Sequence, residues 1–247
     1  LRALYRIFLL AAVSVGTEPA TAAEEPVAHS TICPSTPIPI AAANFVAKVK
    51  RSALLNESKD EFETTSQHDD RLSRLAKAEF GDTMSVATVL PSYVIKYDAD
   101  TGILTIDVAR SDIYARRSDL LVTEIQSISR TTGFYDAQNA YGVSFEVEKQ
   151  SITEFVIAWG DGPAPISGVK AWVKVPAEEA RALKAHAELV VAGRLRNPFL
   201  ERRFDLRAAT MDSPTRREIE SYAMFLTPSC LYLRNVNGKP YGLQIGK

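Results

Sequence analysis

Between Tyr141 and Trp159 apolar and polar positions alternate along the chain. Val143, Phe145 and Val147 are interleaved with Ser144, Glu146 and Glu148. A period of two sends one set to a buried face and the other to water. After Lys149-Gln150-Ser151, Phe155, Ile157 and Trp159 take up the alternation again, behind Thr153 and Glu154. The pattern predicts an antiparallel strand pair with one buried face. It is entered through Gln138-Asn139 and left through the turn Gly160-Asp161-Gly162-Pro163.

The same period recurs from Met84 onwards and over residues 93–97, 103–108, 120–128, 169–175, 189–195, 204–210, 222–233 and 241–245. Turn formers separate these runs, notably Asp98-Ala99-Asp100-Thr101-Gly102 and Asn237-Gly238. Three segments follow the helical period instead. Phe45, Val46, Val49 and Ala53 form one apolar stripe, and Phe62 is an anchor for the segment after it. Leu72, Leu75 and Ala76 form a second stripe, behind a Thr64…Gln67 capping box and before a terminating Gly81. Ala180, Leu183 and Ala187 form the third, with Pro176 at its start and Lys184 and His186 at its end. The expected fold is α+β and β-rich: a mainly antiparallel sheet or sandwich with two or three short helices.

The amino end departs from this pattern. Arg2 and Arg6 precede a short apolar run over 7–15, and Ala20-Thr21-Ala22 supplies a small-x-small cleavage site. The run falls short of the ~20 residues a bilayer span requires. Residues 1–23 therefore read as a signal peptide and 24–42, with Pro26, Pro34, Pro37 and Pro39, as a Pro-rich linker. Residues 43–247 read as a single β-rich domain. The expected location is the periplasm or the exterior, with no transmembrane span in the mature protein. In an oxidising compartment Cys33 and Cys230, the two cysteines of the chain, are expected to pair.

With 46% hydrophobic and 24% charged residues the composition is that of a packed globular protein. A formal charge of -1 gives no overall attraction to nucleic acid, and none is expected as a partner. Phosphate-loop, Gly-x-Ser-x-Gly, His-Glu-x-x-His and Cys-x-x-Cys motifs are missing from the sequence. His29, His68 and His186 fall in the linker, a helix start and a helix end. Asp98, Asp100 and Gly102 resemble a calcium loop, but Ala109 stands where the bidentate glutamate belongs. No metal site and no cofactor are expected. Arg194, Arg196, Arg202 and Arg203, followed by Arg207, Arg216 and Arg217, form a local positive excess. It reads either as a site for a small polar or anionic ligand or as solvated charge that protects strand edges.

Lys59-Asp60-Glu61-Phe62-Glu63-Thr64-Thr65, followed by Arg71-Leu72, resembles a Lys-x-x-Phe-Glu-Thr-Thr pattern of uncharacterised exported bacterial proteins. Gln138-Asn139-Ala140-Tyr141-Gly142 is similar to a second motif of that family, Gln-Asn-Ala-(Phe/Tyr)-Gly. The resemblance implies export and brings no activity with it. Gln138 and Asn139 carry amides suited either to holding loop backbone or to binding a polar ligand. The expectation is an exported, non-enzymatic domain that binds a ligand or partner at the cell envelope. The alternative is an envelope carbohydrate or peptide hydrolase using a carboxylate pair.

Overall fold

The alternation that begins at Val143 folds as one strand, not as a hairpin. In the computed structural model, which describes residues 38–112, 117–159, 168–235 and 237–245, Ser144–Trp159 is continuous. The reason is visible in the phase of the pattern. Val143, Phe145, Val147, Thr153, Phe155, Ile157 and Trp159 are all odd-numbered, so the period never resets. Lys149-Gln150-Ser151 also lacks the Gly, Asn or Asp that a tight turn uses.

In chain order the strands are β1 (Ile40–Ala41), β2 (Thr83–Val89), β3 (Ile95–Asp98), β4 (Ile103–Asp112), β5 (Arg117–Gln138) and β6 (Ser144–Trp159). They continue with β7 (Val169–Lys174), β8 (Glu188–Arg207), β9 (Thr215–Arg234), β10 (Pro240–Gly242) and β11 (Gln244–Ile245). The helices are α1 (Ala42–Lys50), α2 (Thr65–Phe80) and α3 (Ala177–His186). All eleven strands join one mixed sheet in the order β1-β2-β8-β9-β6-β5-β4-β7-β11, with β3 on β4 and β10 on β9. Most pairs are antiparallel. The exceptions are β1 with β2 and β6 with β9. The α+β, β-rich expectation therefore holds, with a mixed sheet.

Several boundaries shift for local reasons. α1 stops at Lys50, and Ala53 belongs to a 3-10 turn whose Leu54 N–H donates to the Ser52 hydroxyl at 3.2 Å. Tyr93 and Val94 lie in a second 3-10 turn after Pro91, so the strand begins at Ile95. The run over 189–195 and the part of the 204–210 run up to Arg207 are one strand, β8, whose register with β9 breaks between Leu195 and Leu200. The expected linker ends earlier than predicted, because Ile40 and Ala41 pair with Val86 and Ala87. The α2 capping box forms in full: Gln67 N–H donates to Thr64 Oγ1 at 3.2 Å and Thr64 N–H to Gln67 Oε1 at 2.8 Å. Gly81 closes the helix at φ +84°. The signal peptide, most of the linker, His29, Cys33 and the 160–163 turn lie outside the described residues.

The sheet curls around its main core. Thr88 Oγ1 on β2 donates to the Ile125 carbonyl on β5 at 2.8 Å, although β8, β9 and β6 separate those strands along the sheet. Inside the curl, Phe45 and Val49 of α1 and Phe80 of α2 meet Met84, Val86, Ile106, Phe155, Ile157, Leu189, Val191, Met224 and Leu226. Burying each such large side chain contributes about 1.5–3 kcal/mol. Val122, Val156, Ala158, Ala223 and Phe225 form a smaller cluster on the opposite face.

Four strands outrun this core. All of Glu154 to Trp159 is buried on β6, whereas from Ser144 to Thr153 Val147 alone is. The distal halves of β5, β6, β8 and β9 thus form a four-stranded arm, and its two hairpin ends carry the expected Gln138-Asn139 segment and the 208–214 turn.

Candidate functional site

The arm's end is built by side chains that hold backbone. Asn139 Oδ1 accepts from the N–H groups of Tyr141 and Val143, both at 2.9 Å. Gln138 Nε2 donates to the Gly142 carbonyl at 2.8 Å. Gly142 sits at φ +81°, a conformation that costs glycine little. The Asn139 amide also reaches Met211 Sδ at 2.8 Å, joining the two hairpin ends. Glu148 N–H donates to the Pro214 carbonyl at 3.0 Å, fixing the second end against β6. Gln138 and Asn139 therefore act first as the frame of this end.

That frame displays apolar groups to solvent. Phe134, Tyr141, Val143, Phe204, Leu206 and Met211 are all exposed large hydrophobic residues. On one face Phe134 stands opposite Glu148, and Asp136 stands directly opposite Glu146. Asp136 and Glu146 make no ion pair among the described residues. Thr131 donates its hydroxyl to Glu148 Oε1. That hydrogen bond, and after it those of Gln150 and the nearby Arg217 charge, holds the Glu148 carboxyl below the usual carboxylate range. The face is an exposed aromatic ring (Phe134 is 61% exposed) set among three carboxylates. The sequence reading missed it by ending the β5 alternation at Ile128. The β-branched and aromatic run Thr131-Thr132-Gly133-Phe134-Tyr135 was the available signal.

The four arginines of the expected anion site are not on one surface. Arg202 lies between the Phe204 and Tyr222 rings, at 5.1 and 5.9 Å, and donates to Glu220 at 2.5 Å. Tyr222 in turn stacks on Phe155 at 5.0 Å and Lys50 caps that ring at 5.4 Å. Burial, and then the Glu220 hydrogen bond, raises the Tyr222 hydroxyl pKa. Arg196 and Arg203 sit over Phe225, on the opposite face of the sheet, and Arg203 donates to Glu201 at 2.8 Å. Arg194 is exposed, next to Thr83 and Thr227 in register. The arginines divide between two faces, and three of them are set against aromatic rings.

A carboxylate pair does occur on the body. Arg110 Nη2 is 2.8 Å from Glu124 and 3.9 Å from the buried Glu154, to which Ser221 donates at 3.4 Å. One guanidinium thus neighbours both carboxylates.

The other sequence candidates are structural. His68 Nδ1 lies 3.2 Å from Glu63, and Arg71 binds Glu63, Glu57 and the Ser58 carbonyl, tying the 57–63 loop to α2. Phe62 is 88% exposed and anchors nothing in the described structure, contrary to expectation. Asp98 Oδ1 accepts from Asp100 and Thr101 N–H, an Asx turn, and the Thr101 hydroxyl bond, and after it the backbone bonds, lower its pKa. Cys230 lies on β9, and no cysteine among the described residues is free. Among the described residues no helix is long and apolar enough to cross a membrane. No protein-family model, curated protein or solved structure matches this chain.

Proposed function

We propose that the protein is a non-enzymatic, exported envelope protein that docks a partner protein through the end of its β-arm. The carrying observation is the pairing of exposed Phe134 with Asp136, Glu146 and Glu148 on one face. An exposed apolar group beside carboxylates that have no cation of their own, as Asp136 and Glu146 are among the described residues, marks an interaction surface, with Arg217 near Glu148 at its edge. The rim is acidic, so the fitting partner is a basic protein segment with an apolar hollow for the ring. Anionic lipid and nucleic acid would both be repelled by the same carboxylates. Export supplies the setting through the Arg2/Arg6 and Ala20-Thr21-Ala22 signal pattern. Arg110, 2.8 Å from Glu124 and 3.9 Å from Glu154, neutralises that pair and counts against its use in the carboxylate-pair alternative.

The test places a photo-crosslinking residue at position 134 of the full chain in its native cells. A discrete protein adduct that vanishes with Glu146→Lys is the expected result. No adduct, or one indifferent to that substitution, would overturn the reading.

A further inference from the structure

The arm accounts for one end of the molecule and leaves a cavity in the body unexplained. β4 pairs with β7 up to Ala109 and with β5 from Arg110 onwards. The two ladders diverge there, and both strands carry a register shift at the split, β4 between Asp107 and Ala109 and β5 between Glu124 and Gln126. Bulges of this kind re-aim side chains and are frequent beside binding sites. With β2 crossing in front, the split forms a cavity of about 380 Å³ that opens to solvent beside Val89 and Tyr93. Ligand pockets run from about 300 to 1,000 Å³, so this one suits a small molecule.

The polar groups in its wall are already committed. Thr123 Oγ1 donates to the Val108 carbonyl at 2.7 Å and accepts from Trp159 Nε1 at 2.8 Å. Thr88 Oγ1 holds the Ile125 carbonyl. What faces the cavity is mainly apolar, including Val89, Leu90, Val94, Val108 and Leu189. Charge is confined to Asp107, Arg110 and Glu124. Arg110 is shared between Glu124 and Glu154, and Asp107 has no ion-pair partner among the described residues. Lys170 stands opposite Asp107 on β7 without closing an ion pair among the described residues, and among the residues lining the cavity two carboxylates face one cation. Tyr93, 80% exposed, adds an aromatic ring at the same cavity.

We infer that this seam between β2, β4 and β5 is a binding site for a small organic cation, an ammonium group on a compact apolar body. Asp107 takes the ammonium, the Tyr93 ring packs against it, and the apolar walls receive the rest. An anionic ligand meets the Asp107 and Glu124 carboxylates and is rejected. The site is independent of the arm.

Phenethylamine is titrated into the full chain, with phenethyl alcohol as the neutral counterpart, and both are followed by backbone amide shifts. The expected result is amine binding with shifts at Val108, Thr123 and Ile125, and alcohol binding about tenfold weaker, the worth of a charge-assisted hydrogen bond. Asp107→Asn brings the amine down to the alcohol's affinity. Val89→Trp, at an exposed position lining the cavity, weakens both ligands. Phe134→Ala changes neither. Equal affinity for amine and alcohol, indifference to Asp107→Asn, or shifts confined to other regions would each overturn the assignment. Unliganded thermal midpoints of the variants within a few degrees of the parent exclude misfolding as the cause.

Discussion

Asp136 on β5 and Glu146 on β6 occupy directly opposed positions in one ladder, two like charges with no cation paired to either among the described residues. Directly opposed like charges destabilise a sheet, and a cross-strand pair is worth about 0.2–1 kcal/mol. Asp136→Lys converts repulsion into attraction. It should raise the unfolding free energy by a few tenths of a kcal/mol to about 1 kcal/mol. The same substitution should abolish crosslinking of a basic partner at position 134. A more stable variant with weaker docking is the signature of a charge kept for binding. Loss of stability on adding the lysine would contradict it.

Phe155 and Phe145 share a strand face by sequence but not an environment. Phe155 is fully buried, stacked on Tyr222 and capped by Lys50. Phe145 lies in the arm and is half-buried. Phe155→Ala should cost about 3–5 kcal/mol, and Phe145→Ala about 1 kcal/mol, by chemical denaturation. Equal costs would mean that the arm is packed like the body.

This pair also marks what the sequence carries and what it leaves out. Alternation names the inward side of β6 correctly over its whole length, because side-chain direction is a local property of the pleat. It does not say where the covering core ends, because that depends on α1, β8 and β9, which are distant in sequence. Thr64, Gln67 and Gly81 were legible for the same reason that Phe155 was: their partners are within a few residues. Arg202 and Arg203 were not, since adjacent residues on a strand face opposite ways. A cluster in sequence therefore became two separated groups. The pairing of Asp136 with Glu146 depends on β5 running on past Ile128 to Gln138, where its alternation of apolar and polar residues fades.

Gly193 is a position whose importance rests on register alone. At the shift between Ala192 and Gly193 the backbone of β9 comes so close that an added Cβ would lie 2.4 Å from the Thr227 carbonyl oxygen and 3.0 Å from Pro228 Cα. Both contacts are with backbone, which cannot rotate away. Gly193→Ala should destabilise by about 1–3 kcal/mol, the usual cost of overpacking. A thermal melt of this variant against Gly238→Ala separates the causes. At Gly238 a Cβ meets nothing within 4 Å and only the φ of +76° opposes it. The Gly193 variant should melt lower.

Glu179 of α3 and Lys239, just before β10, form an ion pair at 2.7 Å, with Tyr241 beside it. The hydrogen bond from Lys239, and after it that from Tyr241, holds the Glu179 carboxyl below its usual range. The bond to Glu179 holds the Lys239 ammonium above its own. A carboxylate with a depressed pKa stabilises the folded state above its unfolded value and loses that effect as pH falls through the folded one. An ammonium with a raised pKa stabilises below its unfolded value and loses the effect as pH rises through the folded one. The docking of β10 should therefore be level through neutral pH and weaken at both extremes. Hydrogen-exchange protection of Tyr241 should fall on acidification through the carboxylate range. Glu179→Gln should lower protection at neutral pH and remove the acid step. An acid step that survives in Glu179→Gln would assign it to another group.

Cys230 and the start of the sheet lie in one row. Ile40 pairs with Val86, Val86 with Val191, and Val191 with Leu231, the neighbour of Cys230. Three interstrand steps of about 4.8 Å place Ile40 roughly 14 Å from that site. The seven residues from Cys33 to Ile40 reach up to about 23 Å when extended, so the expected Cys33–Cys230 bridge is within span. On the face of the sheet away from the main core, Ala87, Val190 and Ala192 are buried yet belong to neither apolar cluster. Cys230 is opposite Ala192, so a bridged segment would begin on that face. Such a bond would close almost the whole described chain into one loop, and its loss should cost about 2–4 kcal/mol. Exported protein should show no reactive thiol when unfolded without reductant and two with it. Cys230→Ser should lower the unfolding free energy by that amount, and reductant should then have no further effect. Two thiols reactive without reductant would remove the bridge.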